Sequence, residues 1–82
     1  MTPEEAFGRA LRALREARGL SQERLGLESG YHRNFIGLVE RGQLSATIGA
    51  LFRLARVLQV RPSELIERAE AGADTLPERE RG

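Results

Sequence analysis

The stretch Leu20–Gly42, LSQERLGLESGYHRNFIGLVERG, decides the reading of this chain. Ser21 is placed to cap a helix from Gln22 to about Glu28, its side-chain oxygen meeting a free backbone N–H. Arg24 occupies the position where a full capping box has Glu or Gln, so the box is incomplete. Glu23 still sets negative charge against the positive end of the helix dipole. Leu25 and Gly26 face inward. Ser29, Gly30 and Tyr31 form a turn in which Gly30 supplies a positive φ. His32 then caps a second segment, Arg33 to Arg41, and Gly42 ends it. Two short helices across so tight a turn have the pattern of a helix-turn-helix.

At 3.6 residues per turn, Ile36 and Val39 of the second segment share an inward face. Arg33, Asn34, Gly37, Leu38 and Arg41 fall on the other side. A solvated face usually carries long charged residues; this one mixes a forked donor, an amide, a residue without a side chain and a leucine. Any one of these alone says little. Together, on one face entered through a turn, they suit the major groove of DNA. Arg33 can fork onto guanine O6 and N7, and Asn34 can pair with adenine N6 and N7. Gly37 is expected to let the backbone approach the bases, and Leu38 to meet a thymine methyl. Gln22 with the free N–H groups of its helix, Arg41 and Gln43 are the expected phosphate contacts. Glu40 lies beside the inward Val39 and needs a cation; Arg15, beside Leu14 on the preceding helix, is the expected structural partner.

Working outward, Thr2-Pro3-Glu4-Glu5 reads as the start of a first helix, with Phe7, Leu11, Leu14 and Ala17 as its apolar stripe and Gly19 closing it. Thr47 opens a fourth helix to about Gln59, with Ile48, Leu51, Leu54, Ala55 and Leu58 at helical spacing and Arg53 on its polar side. Pro62 opens a fifth, closed at Gly72. Five helices without a strand signal predict an all-α fold: one domain over residues 1–71 and a charged, flexible tail over 72–82. Val57, Val60, Leu65, Ile66 and Ala69 offer more apolar surface than the last two helices readily bury, and are the expected homodimer interface. A dimer would set its two recognition helices about 34 Å apart, one duplex turn.

The 82 residues suffice for one small domain. Without cysteine there is neither a thiolate metal site nor disulfide chemistry, and the single histidine has no ligand partners at metal spacing. No nucleophile–base set or phosphate-cradling glycine loop points to an enzyme, and no cofactor or small-molecule pocket is expected. The acidic N-terminus, followed by no long apolar run, argues against a signal peptide or membrane span and for a cytoplasmic protein. Net charge is only +1. It is unevenly spread: +4 over residues 1–62 against −3 from residue 63 onward. A basic body with an acidic tail suits a protein meeting phosphates with one side.

The words LRALREARGLSQERL, then SG, then a helix closing in VERG, then LFRLARVLQVRPSELI, resemble the phage Cro/repressor, or xenobiotic-response-element type, helix-turn-helix family over about three quarters of the chain. Within it, the run from Ser29 to Gln43 looks most like the small controller proteins of restriction–modification systems. The resemblance implies a five-helix domain that dimerises on a pseudo-palindromic operator and regulates transcription. It implies a phosphate clamp at Gln22, base reading by Arg33, Asn34, Gly37 and Leu38, and an Arg15–Glu40 brace. Gly26 stands where the family has alanine, which predicts a looser second helix. Ala46 and Arg61 also depart from the family, and Leu38 replaces a more usual polar residue. A competing expectation is an antitoxin that binds its own promoter, but the polar last ten or so residues suit a toxin interface poorly.

Overall fold

In the computed structural model, which describes residues 1–72, five helices follow in order: α1 (Pro3–Ala17), α2 (Gln22–Ser29), α3 (Arg33–Glu40), α4 (Ile48–Leu58) and α5 (Pro62–Gly72). No strand occurs among the described residues. Local chemistry sets the starts. Thr2 and Glu5 form a full capping box, Thr2 Oγ1 accepting from the Glu5 N–H at 3.0 Å and the Glu5 carboxylate from the Thr2 N–H at 2.9 Å. Ser21 and Thr47 accept from the N–H groups of Arg24 and Ala50 at 3.0 and 3.1 Å. Two ends differ from expectation. Ser29 belongs to the last turn of α2, where its hydroxyl donates to the Leu25 carbonyl at 2.7 Å, and Arg41 is the C-cap of α3. Gln59 leaves α4 in the left-handed region at φ 60°. Its neighbour Val60 donates to the Ala55 carbonyl at 3.0 Å, closing the last turn without a glycine.

The core draws on every helix. Leu11 and Leu14 of α1 meet Leu25 of α2, Ile36 and Val39 of α3, Leu54 and Leu58 of α4, and Leu65 and Ala69 of α5. Each large aliphatic side chain buried there stabilises the fold by about 1.5–3 kcal/mol. α5 packs chiefly on α1, and α2 on α3. The exit of α3 is tied to the start of α1: Gly42, at φ 75°, lies so close to Glu5 that a Cβ there would come 2.5 Å from the Glu5 Cγ.

Ile48 departs from its expected place in the core stripe of α4 and is 70% exposed. The stripe centres on Leu54 and Leu58, and at about 100° per residue Ile48 lies roughly a quarter turn off it. α5 extends to Gly72, the last described residue, so its expected end there and the flexible tail expected over 72–82 lie at or outside the edge of the described residues. No helix among the described residues is long and apolar enough to cross a membrane.

Candidate nucleic-acid interface

The α2–α3 turn is built tightly. The Gly26 carbonyl accepts from both the Gly30 and Tyr31 N–H groups at 2.8 Å, and Gly30 takes φ 89°. A Cβ on Gly26 would overlap the Tyr31 carbonyl oxygen. Glycine here lets the turn close against the helix. His32 caps α3 through its ring, Nδ1 accepting from the Asn34 N–H at 3.0 Å. That bond needs an unprotonated Nδ1.

On α3, Ile36 and Val39 are wholly buried and hold the helix to the core. Arg33 and Asn34 are exposed at its start, with Leu38 half-buried one turn on. Arg33 Nη1 lies 3.8 Å from Glu23 Oε1, both side chains well exposed. Such a pair is weak, under about 1 kcal/mol, so Arg33 can leave it for a base edge at small cost. Gly37 does not open to solvent as expected. It is buried, and a Cβ there would stand 3.2 Å from Arg41 Nη1 and 3.6 Å from Gln22 Oε1. The missing side chain leaves a depression that two long polar neighbours fill. Gly37 thus leaves room over α3 for the Arg41 and Gln22 side chains.

Gln22, Arg41 and Gln43 form one cluster over that depression. Arg41 Nε donates to Gln43 Oε1 at 3.4 Å. Gln22 Nε2 donates to Glu40 Oε1 at 3.0 Å. Glu40 is in turn gripped by Arg15, whose Nε and Nη2 donate to its two carboxylate oxygens at 2.6 and 3.0 Å, while Nη1 donates to the Leu20 carbonyl at 2.8 Å. The expected pair is present and deeply buried, the Glu40 side chain being 2% exposed. Its hydrogen bonds to Glu40 hold the Arg15 guanidinium above the usual arginine range, against the opposing effect of burial. Two-point contact fixes the carboxylate plane, and the carboxylate fixes which end of the Gln22 amide turns inward. Sequence reasoning placed Gln22 and Glu40 separately and missed that bond.

The expected dimer residues separate. Leu65 is wholly buried and Ala69 nearly so, because α5 spends that face on the protomer core, and neither has surface for a partner. Val57 and Val60 are half-buried against the same core. Ile66 alone of the five is exposed, at 45%. Sequence reasoning missed the exposed Leu44, Ile48 and Phe52. Ile48 and Phe52, four apart on α4, were the available signal, a second apolar line displaced from the core stripe, with Leu44 in the loop before it. With Phe7 and Ile66 nearby, Leu44 and Ile48 border an apolar groove of about 340 Å³ that the sequence did not suggest.

Comparison with known proteins agrees with this arrangement. A family model described as helix-turn-helix matches residues 11–65. The control protein C.SmaI of Serratia marcescens is 37% identical over 68 residues, covering 83% of this chain and 81% of that protein. The control protein C.BamHI of Bacillus amyloliquefaciens is 31% identical over 62 residues, covering 74% of this chain and 76% of that one. The crystal structure of the restriction–modification controller protein C.AhdI from Aeromonas hydrophila superposes with a TM-score of 0.74 at 45% identity, over 76% of this chain and 94% of that chain. The clp gene regulator ClgR of Corynebacterium glutamicum, at 22% identity and a TM-score of 0.85 over 92% of this chain and 81% of its own, shares the fold. The chain belongs to the helix-turn-helix family of Cro/repressor type, DNA-binding transcriptional regulators, and its relatives there include restriction–modification controller proteins.

Proposed function

We propose that the chain binds a pseudo-palindromic operator as a homodimer and regulates transcription within a restriction–modification locus. The observation that carries the reading is one continuous face. The exposed Arg33 and Asn34 and the half-buried Leu38 lie on α3 beside the Gln22–Arg41–Gln43 cluster, which supports base reading by the first set and phosphate contact by the second. Arg33 and Asn34 read bases through the major groove, Leu38 meets an apolar base edge, and the cluster sets register. The names of the relatives favour a controller over an antitoxin.

The dimer forms through the exposed apolar residues Leu44, Ile48 and Ile66 around the groove, with the exposed Phe52 one turn along α4 from Ile48. A two-fold interface puts one patch against itself, so the patch must match itself in charge. Glu4 and Glu70 lie on the groove, while Arg56 continues the line of Ile48 and Phe52 one turn on, so both signs are present. Selection of bound sites from random duplex DNA tests the whole reading: it should return an inverted repeat with half-sites about one helical turn apart. Recovery of no preferred sequence would overturn it.

A further inference from the structure

Two arginines beside α3, Arg41 and Arg53, have no carboxylate within 4.0 Å among the described residues, whereas Arg15, Arg24 and Arg33 each do. Arg41 lies over Gly37, toward the C-terminal end of α3. Arg53 belongs to α4, yet its guanidinium reaches the other end. Its Cζ is 5.6 Å from the centroid of the Tyr31 ring, and its Nη1 would lie 3.2 Å from a Cβ on Gly30. The Tyr31 ring stacks in turn on Phe35 of α3, with centroids 4.6 Å apart and planes 24° from parallel. A two-ring shelf, half of it supplied by the recognition helix, therefore seats this cation against the turn.

An exposed arginine ordinarily surrenders rotamer freedom when it meets an anion. One already laid on an aromatic face surrenders less. Arg53 is thus an ordered cation for which the neighbouring side chains supply no anion. A helix lying in the major groove has a phosphate chain on each side, so cations at opposite ends of α3 can meet different chains.

The geometry points to Arg53 as a phosphate-contacting residue on the strand opposite the one held by Gln22, Arg41 and Gln43, with Tyr31 as its positioning residue. This rests on the DNA-binding reading above and adds a second wall to it. The contact carries no base information, because a phosphate is the same at every step. It adds affinity and salt dependence, and it centres α3 between the strands.

The test is the salt dependence of binding to the selected operator between about 50 and 200 mM salt, with thermal unfolding of each variant in parallel. Arg53→Ala should lower the slope of log affinity against log salt by about 0.9 per protomer. It should weaken all operator variants by the same factor. Arg53→Lys, which keeps the charge, should retain most of the slope. Tyr31→Leu should weaken binding in the parent, and should have no further effect once Arg53 is alanine, since the ring acts through the guanidinium. A lowered melting temperature with the parental salt slope would make Arg53 only a clamp on the turn and overturn the proposal. Additive losses from Tyr31→Leu and Arg53→Ala would overturn the positioning role. If the parent itself shows no salt-dependent duplex binding, the DNA-binding reading falls and this proposal falls with it.

Discussion

At Glu40 one carboxylate serves two neighbours. It is the anchor of Arg15 in the core and the acceptor that turns the Gln22 amide. Arg15→Met would leave that carboxylate buried without its cation, and unfolding in urea should show a loss of about 3–5 kcal/mol. Base reading and phosphate positioning separate in a different experiment. Arg33→Ala should cost about 1–3 kcal/mol and relax preference at one operator position, whereas Gln22→Ala should weaken every operator variant alike. Equal loss on all variants from both substitutions would refute the division of roles. The Arg15–Glu40 pair was legible in the sequence because helical phase puts both residues at the edge of the core, where opposite charges need each other. The Gln22 bond was not, since phase gives the face of an amide but not which of its two ends turns inward. The surroundings of Gly37 were illegible for a related reason. A sequence shows that a side chain is missing but not which neighbours lean into the space.

Helix starts were the most legible elements, because a cap is a contact between residues two or three apart. Thr2, Ser21, His32 and Thr47 each cap the helix expected of them. The turn was legible in place but not in tightness, which depends on the approach of the Tyr31 carbonyl to Gly26. Gly26→Ala tests that approach. Alanine favours a free helix by up to about 1 kcal/mol, but here its methyl must displace backbone, and overpacking costs about 1–3 kcal/mol. A lowered melting temperature is the expected result; a raised one would mean that the turn yields easily. The outer face of α4 was illegible for another reason. Ile48 sits close enough in phase to Leu51 and Ala55 to pass for core, and only the direction from which α2 and α5 approach leaves it outside.

For the whole molecule, the partition of apolar residues between core and surface governs assembly. Leu65 and Ala69 complete the protomer, so the protomer has its own core and the surface set is left for a partner. Phe52→Glu places a charge in that set while leaving the core untouched. Sedimentation should then show monomer, and operator affinity should fall while the helical content stays at the parental level. A dimer that persists in this variant would exclude the proposed face. The contact between Gly42 and Glu5 carries a practical consequence. Glu5 is held by the Thr2 cap, so the opening residues of the chain act as a stop against which the DNA-facing helix comes to rest. A purification tag fused ahead of Met1 adds chain directly beside that cap, and operator affinity with and without the tag measures whether the stop is disturbed.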